Sequence, residues 1–203
     1  MSESATAQQN GGARLRARNA MRAEIAEVAL RLFDEHGFEE TTVDDIVAAA
    51  EISPRTFFRY FGKKDEVVFG DLLPAGSELR DALVDELGAG TPWDALHRVL
   101  GSLGPEIQGE ADHWLRVMRV INSSPTLRVR NLDKHLTWAD MFVPVLAAHP
   151  DLAGPLGDLR ARALAQAALS CLDAALTYWA DTDGAQAFTV VLDAAFDGAR
   201  HQQ

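Results

Sequence analysis

The residues best suited to chemistry in this chain lie between Ser53 and Lys64, in the run SPRTFFRYFGKK. On a helix, Phe57 and Phe61 stand four apart and share one face, which turns Arg55, Thr56, Arg59 and Tyr60 to the other side. Those side chains suit a nucleic acid. A guanidinium can donate two hydrogen bonds to guanine O6 and N7, so Arg55 and Arg59 are the candidates for reading base edges. Thr and Tyr hydroxyls and the Lys64 ammonium can hold phosphate oxygens. Other chemistry has little support. The six histidines, His36, His97, His113, His135, His149 and His201, show no HExxH, HxxxH or Cys/His ligand spacing. There is no GxGxxG after a strand, no GxxxxGK(S/T) and no GxSxG, and Cys171 sits in an apolar helix where a thiol is usually a small inert hydrophobe. No catalytic residue, metal or cofactor is expected.

The elements around that run must hold it outward. Thr42-Val43-Asp44-Asp45 has the Ser/Thr-x-x-acid form of a helix start, with Val43, Ile46, Val47 and Ala50 as its apolar face. Glu51-Ile52 makes a short connection to Ser53-Pro54, where serine can cap the next helix and proline fits its first position. That helix runs from Arg55 to Phe61 and stops at Gly62, and a further helix begins near Lys63. Helix, tight turn and second helix form a helix-turn-helix, whose second helix enters the major groove. Upstream, Met21, Ile25, Val28, Ala29, Leu32 and Phe33 recur at steps of three and four and predict a helix ending at Gly37. Phe33, Phe38, Phe57 and Phe61 read as its core. Before it, Arg14, Arg16 and Arg18 either enter the minor groove or form a solvated basic arm.

The expected organisation is a flexible tail over 1–13, a helix-turn-helix domain over 14–72 and a helical domain over 73–203. In the last, Pro and Gly punctuate helical stretches at about 75–87, 92–103, 105–122, 126–148, 156–180 and 184–200. No alternating Val- or Ile-rich run is bounded by turns and no 20–50-residue period repeats, so the fold is predicted to be all-α.

The stretch Thr41-Thr42-Val43, Ile46, Ile52-Ser53, Thr56-Phe57-Phe58-Arg59-Tyr60-Phe61, Lys64-Asp65-Glu66-Val67 resembles the signature of the TetR-type transcriptional regulators over about residues 20–70. The resemblance implies that Thr42 touches phosphate at its helix start, that Pro54, Arg55, Thr56, Phe58, Arg59 and Tyr60 form a DNA face, and that Lys64 grips the backbone. Where the family usually has Tyr, this chain has Phe58, which lacks the hydroxyl for a phosphate hydrogen bond. The resemblance further implies a homodimer on a roughly palindromic double-stranded operator, and a carboxy-terminal domain that binds a small-molecule effector whose arrival releases a repressor.

Residues there fit those two jobs. Ala163, Ala167, Ser170 and Ala174 place small side chains along one helix, and Phe188, Val191, Leu192, Ala195 and Phe196 make a second amphipathic one. Two such helices per subunit would form a four-helix interface; the other reading is a purely intramolecular pair. Trp93, His97, Trp114, Met118, Trp138 and Phe142 form a dense apolar set suited to an apolar or aromatic effector, oriented by a few polar groups such as His97, His113 or Asn122. Such residues are also ordinary core. An effector-independent DNA-binding dimer and an all-α enzyme are the alternatives.

A net charge of −11, from 19 Lys+Arg against 30 Asp+Glu, excludes a general nucleic-acid coat or a basic membrane-surface protein. Residues 1–70 hold 9 basic and 12 acidic groups, so the acid excess lies mainly in the rest of the chain. One cysteine permits no intrachain disulfide, and no run approaches the ~18 apolar residues of a membrane span. A soluble cytoplasmic protein is expected.

Overall fold

Hydroxyl side chains set several helix starts. Thr42 accepts a hydrogen bond from the Asp45 backbone N–H, and the Asp45 carboxylate accepts from the Thr42 N–H at 2.8 Å, closing a capping box. Ser53, Thr91 and Ser124 accept from the N–H of Thr56, Asp94 and Leu127, and each is followed by a proline whose missing N–H costs nothing at the first helical position. The computed structural model describes residues 2–70 and 72–200, with side chains over 16–70 and 75–200. Among the described residues every regular element is a helix. The chain divides into two compact units, Met1–Gly70 and Asp71–Gln203.

The first unit holds α1 (Ser2–His36), α2 (Val43–Ala49), α3 (Pro54–Tyr60) and α4 (Glu66–Phe69). Ile25, Ala29, Leu30 and Phe33 of α1, Ile46 and Val47 of α2, Phe57 of α3 and Val67, Val68 and Phe69 of α4 are buried, with α1 packing against α2 and α4, and α2 against α3. Gly37, at φ +89°, ends α1 in the left-handed region that glycine enters without strain, and the Phe38 ring then packs edge-on against Phe33 with centroids 5.1 Å apart. Between α2 and α3, Ile52 N–H returns to Val47 O at 3.0 Å while Glu51 takes φ +53°, a six-to-one closure that makes the turn tight.

Two details differ from the sequence expectation. α1 begins at Ser2, inside the segment read as a flexible tail, where Ala and Gln are good helix formers. α4 starts at Glu66 rather than near Lys63, because the Glu66 carboxylate turns back to accept from the Gly62 N–H at 2.7 Å and holds the intervening residues in a turn.

The second unit comprises α5 (Leu72–Glu86), α6 (Pro92–Gly101), α7 (Gly104–Gly109), α8 (Ala111–Ser123), α9 (Pro125–Ala147), a short 3-10 turn at Pro150–Leu152, α10 (Gly157–Asp181) and α11 (Phe188–Arg200). The stretch expected as one helix over 105–122 is two, broken where Glu110 leaves helical geometry at φ −120°, ψ 40° after the poor helix former Gly109. α10 is the central helix, packing along both α9 and α11. Its inner face carries Ala161, Ala165, Ala168 and Ala175, small enough for close approach, with Leu169, Leu172, Leu176 and Trp179 filling the gaps between helices.

α5 meets α9 at one tight point: a Cβ on Gly76 would lie 2.3 Å from Cδ1 of Trp138, whose ring is 3 % exposed. A rigid, buried indole has nowhere to retreat. Gly76→Ala is therefore expected to lower stability by about 1–3 kcal/mol despite the better helix propensity of alanine, measured by urea unfolding monitored through tryptophan fluorescence.

Candidate nucleic-acid interface

α3 is anchored from below and open above. Phe57 and Phe61 are 0 % and 1 % exposed, with ring centroids 5.4 Å apart, while Pro54, Arg55, Phe58 and Arg59 are exposed and Thr56 and Tyr60 half-buried. The helix start is held by Ser53, whose hydroxyl accepts from the Thr56 N–H at 3.1 Å and lies 2.9 Å from the Thr56 hydroxyl. Arg59 does not hang free: its guanidinium lies 5.0 Å from the centroid of the Tyr60 ring and donates to the Tyr60 hydroxyl at 3.4 Å. A guanidinium with one N–H engaged in this way keeps its other donors for a further partner. A shallow groove of about 520 Å³ is lined by Arg59 and Tyr60 together with Ala17, Arg18 and Met21 of α1. Arg16 and Arg18 are exposed on α1, and Arg18 thereby lies beside the face of α3; the side chain of Arg14 lies outside the described residues.

Two residues of the expected interface carry structural duties. Thr42 is exposed, but its hydroxyl and backbone N–H are both engaged by Asp45, and those two hydrogen bonds hold the Asp45 carboxyl below its ordinary range. Lys64 turns inward. Its ammonium donates to Phe38 O and to Thr41 O (2.7 Å) and lies 4.2 Å from the centroid of the Phe38 ring. Partial burial lowers its pKa, against the pull of Glu39 and Glu40. The ammonium thus ties α4 to the turn between α1 and α2.

The expected effector residues do not form one cluster. Trp93 and His97 of α6 lie against Phe196 of α11, at centroid distances of 4.8 and 4.4 Å, and His97 Nε2 is 2.8 Å from Asp193 of α11. Trp93 also lines a groove of about 750 Å³ with Leu152, Leu164, Ala167 and Arg200. Trp138 and Phe142 are buried on α9, Met118 is buried on α8 and Trp114 is half-buried there, its indole N–H unpartnered. A polar group missed from the sequence lies next to Trp138: Asn131, Lys134 and His135 on α9, facing Asp173 of α10. Their spacing was the available signal, since 131, 134, 135 and 138 share one face of a helix whose other inward residues are apolar.

An outward recognition helix locked by a capping serine and two buried phenylalanines, in a small helical unit followed by a larger all-helical one, defines a two-unit helix-turn-helix regulator. The family model described as bacterial regulatory proteins, tetR family, matches residues 25–69, and that described as the MftR C-terminal domain matches residues 90–202. The chain belongs to the TetR family of transcriptional regulators. It is 30 % identical over 174 residues to MftR of Mycobacterium tuberculosis, a regulator named for mycofactocin biosynthesis, covering 85 % of this chain and 86 % of that one. The fold matches that of the fatty acid degradation regulator FadR from Bacillus halodurans, with a TM-score of 0.62 at 17 % identity over 88 % of this chain and 94 % of that one. It also matches FadR from Bacillus subtilis, solved in complex with stearoyl-CoA, with a TM-score of 0.59 at 15 % identity over 87 % and 96 %.

With both hydrogen bonds of Lys64 made to backbone carbonyls, Lys64→Met is expected to loosen the first unit by about 1–3 kcal/mol. Hydrogen exchange would show it as faster exchange at the amides of α2 and α3, with the second unit unchanged.

Proposed function

We propose that the protein is a homodimeric repressor that occupies a palindromic double-stranded operator and is released by a small-molecule effector. The observation that carries this is the outer face of α3, where Arg55, Phe58 and Arg59 are exposed and Arg59 is braced on Tyr60 beside Arg18 of α1. In the major groove Arg55 and Arg59 read guanine edges, Phe58 packs against a sugar or a thymine methyl, and Pro54, Thr56, Tyr60 and Thr42 sit against the backbone. Arg16 and Arg18, with Arg14, reach the neighbouring minor groove. Lys64 contributes by holding the frame.

Dimerisation is supported by the outer stripe of α10. Ala163, Ala167, Ser170 and Ala174 are exposed in the single chain, and Leu159, Tyr178 and, on α11, Val190 are exposed hydrophobics at 61 %, 53 % and 52 %. Small residues flanked by large apolar ones permit close helix packing across a two-fold axis, which sets two recognition helices one DNA turn apart. An effector with an apolar body is supported by the groove that Trp93 lines with Leu152, Leu164 and Ala167 and by the stearoyl-CoA complex of a protein of the same fold. Its binding shifts the dimer toward a spacing that no longer fits the half-sites, and only to the extent that it prefers that state. A regulator of this kind acts in the cytoplasm, and no helix among the described residues is long and apolar enough to cross a membrane.

Arg55→Ala and Arg59→Ala are each expected to weaken binding to the DNA upstream of the protein's own gene by about 1–3 kcal/mol in a mobility-shift assay, with unchanged light-scattering mass and thermal stability. Unchanged affinity in both variants removes the proposed readout. On the effector side, a compound that raises the melting temperature should also release the shifted DNA. A broad library containing no such compound would favour an effector-independent DNA-binding dimer.

A further inference from the structure

The exposed side chains of α10 are ordered symmetrically along one stripe. Arg160, Ala163, Ala167, Ser170, Ala174, Tyr178 and Asp181 are all exposed and recur at steps of three and four, which keeps them on one face of the helix. Ser170 stands in the middle. Counted outward from it, Ala167 matches Ala174, Ala163 matches Tyr178, and Arg160 matches Asp181. Small thus stands against small at the centre, small against large further out, and cation against anion at the ends. Each half of the stripe also borders a groove. In the first, of about 750 Å³, Arg160, Ala163 and Ala167 lie along Trp93 and Leu152; in the second, of about 720 Å³, Ala174, Tyr178 and Asp181 lie along Leu132 and Leu136 of α9, which are 56 % and 53 % exposed. The first groove carries Arg160 and Arg200, the latter already engaged by Asp94, and the second carries Asp173 and Asp181. Among the described residues neither Arg160 nor Asp181 has an ion-pair partner.

The occupant that such a stripe fits is an antiparallel copy of itself, because a two-fold axis at Ser170 lays each residue on its match in the other copy. We propose that the groove beside Trp93 is completed by a second copy of the chain: α10 crosses its mate antiparallel at Ser170, which brings the partner's Tyr178 onto Ala163 at the edge of the groove and the partner's Asp181 onto Arg160. The proposal rests on the homodimer reading above and names its register. Helix geometry then decides the crossing angle. The two charged ends stand about 16 Å along the axis from Ser170, at 1.5 Å per residue. The alanines near the crossing let the axes approach to about 8 Å, and at a crossing of about 20° the axes part sideways by only about 6 Å at the charged ends, which an arginine side chain spans. At about 50° they part by about 14 Å and the pair is lost. The ion pairs therefore require the shallow crossing of a four-helix bundle. They also give the groove a wall from each subunit, so that an apolar effector lodged between Trp93 and the partner's Tyr178 acts on the crossing angle directly.

The test uses the full-length protein in sedimentation equilibrium and oxidative cross-linking. Arg160→Glu and Asp181→Lys each place two like-charge contacts in their own homodimer, and each should raise the dimer dissociation constant about ten-fold or more at low salt. Mixing the two variants should restore association to near the parent level, because the mixed dimer regains both opposite-charge pairs. The substituted residues are exposed, and melting temperatures check that each variant folds. Cysteine pairs read the register: with Cys171→Ala throughout, Ala163→Cys mixed with Tyr178→Cys should give a disulfide-linked dimer on mild oxidation, and neither variant alone should. Both results together support the proposal. Charge-reversed variants that associate like the parent, a mixture that associates no better than its components, or a cysteine mixture that fails to link each overturns it, and a parent that stays dimeric then leaves the homodimer reading in place. A parent that is monomeric at micromolar concentration overturns both.

Discussion

Phe57 and Phe61, both all but inaccessible and with ring centroids 5.4 Å apart, fix the rotation of α3 about its own axis. A seven-residue helix has little stability alone, because so few turns cannot repay nucleation. Its orientation comes from the two rings, each worth about 1.5–3 kcal/mol of buried apolar surface, and from the capping bond of Ser53. With those set, successive steps of about 100° leave no choice over which side chains face outward. The same rings depend on neighbours: Arg22 of α1 lies 4.9 Å from the Phe61 centroid, and Lys64 holds the Phe38 turn that closes the core from the other end. Interface geometry in this unit is therefore a property of its core.

Most of that unit was legible in the sequence, since its signals are local. Thr42 with Asp45, Ser53 with Pro54, and the four-residue spacing of Phe57 and Phe61 each report a decision made within one or two helical turns. The role of Lys64 was not legible in the same way. Its acceptors, the carbonyls of Phe38 and Thr41, lie 26 and 23 residues earlier, and a lysine that follows a recognition helix looks like any other phosphate ligand until the chain is folded. The split of the expected 105–122 helix falls at Gly109-Glu110, where weak propensity alone does not say whether tertiary packing will carry the helix through.

In the second unit the limits are of another kind. Small residues along α10 repeat on two faces, so sequence periodicity alone cannot separate the alanines that pack inside, such as Ala161, Ala165 and Ala168, from Ala163, Ala167 and Ala174, which stay outside. The assignment of inside and outside comes from α9 and α11, distant in sequence. The polar residues of α9 interrupt an apolar face, but only the position of Asp173 on α10 shows that Asn131 donates to it and that Lys134 lies within reach of its charge. A dense apolar set is equally good as core or as pocket, and its composition alone does not separate the two.

The net charge of −11 is best understood by where each acid is used. In the first unit, Asp45 closes the Thr42 capping box, Glu66 accepts from Gly62 N–H, and Glu39 and Glu40 lie close enough to Lys64 to act on its charge. Those carboxylates are committed to local structure, whereas Arg16, Arg18, Arg55 and Arg59 are exposed. At physiological salt, fields beyond about 8 Å are largely screened, so a phosphate in contact with α3 responds to those arginines more than to the acidic second unit. Far from contact the balance reverses and the chain as a whole repels DNA. Affinity under the proposed readout then has to come from short-range, well-aligned contacts, for which the fixed rotation of α3 and the contact of Arg59 with Tyr60 are the features that matter.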